Sequence, residues 1–192
     1  MIEMNVNTAQ EALTKKQLKE LGANAKKALA DANNRAAAGM RTDGTRLIVK
    51  NSGLKRPLVF PAFKIIKASP KVENPQAKLL IKGPVIPLIN NASRSAKPAK
   101  GKKKGGITVN LGKSKETFKN AFIAKMPSGH IGIFERQRGK LNSKGREAIK
   151  ELFGPSVPQI ADREEIVSEV SEKAQERFLK RFEQQFNRFT RS

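Results

Sequence analysis

Residues 122–136 read FIAKMPSGHIGIFER, and their reading decides whether the middle of the chain is sheet or a fragment of a catalytic site. Phe122, Ala124 and Met126 alternate with Ile123 and Lys125, and Ile131 and Ile133 alternate with Gly132 and Phe134. A period of two is the pattern of a strand. Pro presets a turn φ and Gly accepts a positive one, so Pro127-Ser128-Gly129 joins the two runs as a β-hairpin. Gly132 inside a strand predicts a bulge or a close contact with another backbone. His130, the only histidine, falls at the hairpin tip.

His130 lacks companions for chemistry. The chain has no Cys, which excludes disulfides, thiolate zinc sites and Cys nucleophiles and suits a reducing cytoplasm. Between residues 44 and 160 the only acids are Glu73, Glu116, Glu135, Glu147 and Glu151, too scattered to complete a zinc shell. No nucleophile elbow is present, and GKKKGG lacks the spacing of a phosphate-binding loop. The sequence therefore predicts no enzyme: no catalytic residue, no metal site and no cofactor.

A length of 192 residues suits one domain. No run approaches the ~20 apolar residues of a membrane span, and MIEMNVNTAQEALTKK has no signal-peptide pattern. Charge is segregated. Residues 161–192 hold seven acids and seven bases, so residues 1–160, with 32 bases against 10 acids, carry the whole net charge of +22. A field of that size calls for a polyanionic partner, either nucleic acid or acidic protein surfaces.

All ten prolines lie between Pro57 and Pro158, which leaves both ends open to helix. Thr8-Ala9-Gln10-Glu11 fits a capping box, and Leu13, Leu18, Leu21, Ala25, Ala28, Leu29, Ala32 and Ala36 make a helical stripe. Gly39 and Gly44 mark its expected end, so this helix is placed at 8–40. Its small side chains let a neighbour approach closely. The other helix, at 162–190, opens on Asp162-Arg163-Glu164-Glu165, where the helix dipole favours acids. Ile166, Val170, Ala174, Phe178, Phe182, Phe186 and Phe189 follow along one face. A core-facing stripe is the simpler reading. A subunit interface built from Phe178, Phe182, Phe186 and Phe189 is the sharper one, and one helix can serve both.

The middle, 63–153, is β-rich. Phe63–Lys67, Ala77–Ile81, Val85–Ile89 and Ile107–Leu111 are short apolar runs bounded by turn residues, and Pro87 points to an edge or a bulge. Ser52–Pro57 suits a short helix ahead of the first strand. A basic loop at 91–106 interrupts the strands. Arg94, Lys97, Lys100, Lys102, Lys103 and Lys104 are its six bases, with no acid among them, and self-repulsion predicts a mobile loop. It is the candidate contact for DNA or an acidic partner. With no Tyr or Trp to stack bases, any nucleic-acid contact is expected to be sequence-independent. The fold class is α+β, with an N-terminal and a C-terminal helix packed on a small, mostly antiparallel sheet in one domain spanning 1–192.

MPSGHIGIFERQRGK at 126–140 and REAIKELFGPSVPQI at 146–160 carry a resemblance. Together with NRAAAGMRTDGTRLI, NPQAKLLIKGPVIPLI and the basic GKKKGGITVNLGK before the AFI segment, they make the chain similar to the prophage minor tail protein Z family, the lambda-like tail completion proteins of long-tailed bacteriophages. Pro57, Pro61 and the insertion-like KNSGLKRPLVFP depart from that pattern. The family's most recognisable motif here is the hairpin Met126, Pro127, Ser128, Gly129 and His130. The resemblance implies a virion protein, present in the host cytoplasm during assembly, that acts late at the head-proximal end of the tail. It implies partners among the tail terminator, tube, head connector and tape measure, contact with the phage DNA path, and a homo-oligomeric ring such as a hexamer. Composition alone suggests an alternative: a cytoplasmic, sequence-independent RNA- or DNA-binding protein.

Overall fold

A computed structural model describes residues 2–5, 22–91, 106–112 and 114–190. Two long helices form its spine, α1 (Gly22–Ser52) and α4 (Glu164–Thr190). Asp31 pairs with Arg181 at 2.7 Å and Asp43 pairs with Arg177, so the helices run antiparallel. Ala25, Ala28, Leu29, Ala32 and Ala36 of the expected stripe are buried in α1. Methyl-sized side chains bring α4 close. Leu13, Leu18, Leu21 and the expected capping box lie outside the described residues.

The expected end of the first helix near residue 40 is corrected: α1 passes through both glycines and stops at Ser52. A β-carbon on Gly39 would lie 2.6 Å from Nη1 of Arg177, and one on Gly44 would lie 3.2 Å from the Phe63 ring. Both glycines are places of close approach, and packing there overrides their weak helix propensity. The stop is Gly53, at φ +69°, whose N–H donates to the Val49 carbonyl at 3.1 Å.

The short helix expected after Ser52 is α2 (Arg56–Val59), continued by a 3-10 turn at Phe60–Ala62. Pro57 and Pro61 each sit in the opening turn of their segment, where a missing N–H costs nothing. Near the other end, α3 (Val157–Ala161) is held by a capping box: the Ser156 hydroxyl accepts from the Gln159 N–H, and the Gln159 side chain accepts from the Ser156 N–H at 2.8 Å.

The strands are antiparallel, as expected, but they divide among four small sheets where one was anticipated. β1 (Ile2–Asn5) and β2 (Phe63–Ile66) flank β3 (Lys78–Ile81). β4 (Ile86–Pro87) pairs with β10 (Phe153–Gly154), so Pro87 lies in a two-stranded ladder with an open edge. The strand expected at Val85–Ile89 is cut short by a 3-10 turn at Leu88–Asn91. β5 (Ile107–Asn110) pairs with β6 (Lys115–Phe118). β7 (Ala121–Lys125), β8 (Ile131–Leu141) and β9 (Glu147–Glu151) form the fourth sheet with β8 central. β1, β6, β9 and β10 have no counterpart among the expected strands.

Two main cores result. The larger joins Leu29, Met40 and Ile48 of α1, Phe63, Leu79 and Ile81 of the first sheet, and Ile166, Val170 and Phe178 of α4. The smaller joins Leu88, Val109, Ala121, Ile123 and Ile133. Dividing the apolar material this way leaves the β8–β9 end of the fourth sheet without a core of its own.

Candidate functional site

The expected hairpin forms. Phe122 opposes Phe134, Ile123 opposes Ile133 and Lys125 opposes Ile131. Its tip closes through Met126 N–H to the His130 carbonyl at 2.7 Å and Gly129 N–H to the Met126 carbonyl at 2.8 Å, with Gly129 at φ +85°. This is a three-residue loop ending in a left-handed glycine. Met126 is half-buried, and Pro127, Ser128, Gly129 and His130 are exposed.

Gly132 keeps its ladder register opposite Ala124, so no bulge falls there. The expected backbone contact is corrected as well: a β-carbon on Gly132 would lie 2.7 Å from Oε1 of Glu151 and 3.0 Å from the Phe134 ring. The glycine makes a seat for side chains. Glu151 in that seat holds Nε2 of His130 at 2.9 Å, and the His130 ring stands edge-on to Phe134 with centroids 6.3 Å apart. The pair ties the hairpin tip to the end of β9. Among the described residues no group of three His, Asp or Glu side chains is placed to hold a metal ion.

Beyond this base, β8 and β9 continue as a two-stranded ribbon whose ladder is broken between Gln137 and Leu141. No residue from 135 to 151 is buried. Arg136, Arg138, Lys140, Lys144, Arg146 and Lys150 are all exposed, whereas Glu135, Glu147 and Glu151 are partly covered. Glu135 and Glu147 line a shallow hollow with Arg136, Arg138, Asn120 and Phe122. The Arg136 guanidinium lies 5.5 Å from the centre of the Phe122 ring. At the far end, Asn142 Oδ1 accepts from the Lys144 and Arg146 N–H groups at 3.0 and 3.1 Å, and Asn142 N–H donates to the Arg146 carbonyl at 2.7 Å. This cluster was missed in the sequence. Its signal was Arg136-Gln137-Arg138-Gly139-Lys140, three bases at strand spacing, but β9 had to be recognised before it read as a ribbon.

The profile of the family described as prophage minor tail protein Z matches residues 7–192. The chain belongs to that family. It is thus a structural protein of a phage tail, a component of the virion that works among other tail proteins. No curated protein and no solved structure matches the chain. No helix among the described residues is long and apolar enough to cross a membrane.

For a minor tail protein the surfaces that meet neighbours matter most. Phe178, one of the four expected interface rings, is 0% exposed in the larger core, so it has no surface to offer a partner. Phe182 and Phe186 are half-buried and extend a stacked row from it, with centroid separations of 5.9 and 5.8 Å. The Phe189 side chain lies outside the described residues. Leu179 beside the row is exposed.

Arg94, Lys97, Lys100, Lys102, Lys103 and Lys104 also lie outside the described residues. The flanks of their segment are anchored. Asn91 Nδ2 donates to the Ser52 carbonyl at 2.8 Å and to the Asn110 carbonyl at 3.1 Å.

Proposed function

We propose that this minor tail protein is a tail completion protein at the head-proximal end of the tail. It assembles late as a homo-oligomeric ring between the tail terminator or tube and the head connector, and it flanks the path of the DNA. The observation that carries this reading is the segregation of charge in a tail-protein chain: +22 in residues 1–160 and a neutral remainder. A strongly positive body suits a channel that carries polyanionic DNA. The nearly neutral α4, with Phe182 and Phe186 half-exposed, suits contact between subunits. A ring built head-to-tail needs two different patches on each subunit. The α4 face supplies one, and the edge strands of the first sheet, β1 and β2, supply the other. Residues 94–104 supply positive charge to the lumen or to an acidic neighbour.

Labelling the protein in intact particles and imaging them tests the position. Label at the neck supports the reading, and label at the distal tip overturns it. Neutralising Lys102, Lys103 and Lys104 together to Gln is expected to lower infectivity at least tenfold without loss of tail assembly. Unchanged titre would leave those lysines no part in DNA passage.

A further inference from the structure

We propose that the β8–β9 ribbon is an arm that grips duplex DNA through its backbone, a site separate from residues 94–104. Every exposed charge on the ribbon is a base, namely Arg136, Arg138, Lys140, Lys144, Arg146 and Lys150. The three acids are partly covered: Glu151 is bonded to His130, and Glu135 and Glu147 line the shallow hollow together with Arg136 and Arg138. Arg136 keeps its ladder register opposite Ile149, whereas Arg138 and Lys140 lie in the irregularity between Gln137 and Leu141, where Gly139 sits at φ +79°.

The shape fits the same partner. From Arg136 to Leu141 no residue of β8 is buried, and a two-stranded ribbon enters a major groove about 12 Å wide. Such a ribbon is marginal on its own. Here its base is fixed by β7 and by the His130–Glu151 pair, and its tip by the Asn142 turn. Leu141, at 69% exposure the barest large apolar residue described, sits at that tip between Lys140 and Lys144. It is placed to touch groove edges while the bases hold phosphates. An acidic protein surface fits less well, because protein interfaces have apolar centres and are poor in Lys, and between residues 135 and 151 the ribbon offers only Leu141 and Ile149 as exposed large apolar residues. A single strand fits less well, because the chain has no Trp or Tyr to stack its bases.

The inference does not rest on the head-proximal position, and the two fail separately. The test uses the full chain, a mixed-sequence duplex of about 30 base pairs and the matching single strand, with affinity followed across salt. R138Q/K140Q is compared with K67Q/K71Q, an equal loss of exposed charge outside the ribbon. The ribbon variant is expected to reduce the magnitude of the log–log salt slope by about 1.8, two phosphate contacts at ~0.9 each, while the control leaves it unchanged. Leu141→Ala is expected to weaken duplex binding several-fold with the slope intact. If R138Q/K140Q does not fold, K144Q/R146Q at the exposed turn gives the same reading. Equal losses in ribbon and control, preference for the single strand, or no duplex binding at low salt would each overturn the proposal. So would a change in oligomeric mass or tail-protein binding with duplex affinity untouched, which would make the ribbon a protein-contact arm.

Discussion

A β-carbon on Gly112 would lie 2.1 Å from the Asn51 carbonyl oxygen, and the residue sits at φ +88°. The turn between β5 and β6 presses on the end of α1 there, beside the two bonds that Asn91 makes. Gly112→Ala meets both a forbidden contact and a left-handed backbone, which alone costs about 1–3 kcal/mol. The thermal midpoint is expected to fall by several degrees, with loss of hydrogen-exchange protection concentrated in the smaller core. An unchanged midpoint would show that the turn can lift off the helix. Nothing in GGITVNLGK announces this role, because a tight glycine and a loose one read alike until the neighbour is known. His130 is the opposite case. That it is the only histidine in a chain without cysteine was countable from composition, whereas its bond to Glu151 was not, since β9 brings that carboxylate from 21 positions away.

At the scale of elements, α4 does two things along one face. Ile166, Val170, Ala174 and Phe178 are core, and Phe182 and Phe186 lead outward from it. Phe178→Ala removes a fully buried ring and is expected to cost about 3–5 kcal/mol. For a chain of this size that lowers the melting temperature by roughly 6–20 °C. Arg177→Ala strands the Asp43 carboxylate, which is 8% exposed, and is expected to cost about 1–3 kcal/mol in denaturant unfolding. A cost below ~0.5 kcal/mol would show that water replaces the arginine. The spacing of four was enough to place this helix and its stripe. Where core gives way to accessible surface along the stripe was not readable, because that depends on how far α1 runs beside it.

For the whole molecule, the accessible end of the Phe row yields an assembly prediction. Phe182→Ala combined with Phe186→Ala is expected to weaken self-association by tenfold or more in sedimentation, while far-UV circular dichroism of the monomer stays near that of the parent. A collapse of monomer structure would instead assign both rings to the core, alongside Phe178. Charge works at this same scale. Its segregation was countable directly, but its arrangement was not: three bases in a row became an exposed arm only because β9 pairs with β8 beyond the reach of either core.

What the sequence determined by itself is local or compositional. Alternation and turn chemistry made the hairpin, spacing of four and proline-free ends made the helices, and the residue inventory gave a single histidine and no cysteine. Tertiary structure decided what depends on distant partners. Gly39 and Gly44 pass through a helix they were expected to end, because Arg177 and Phe63 occupy the space that side chains would fill. Phe178 is core because α1 lies against it. The hairpin is the root of a basic ribbon because β9 returns to pair with β8. Each outcome turns on contacts between residues far apart in the chain, whose free energy no local pattern encodes.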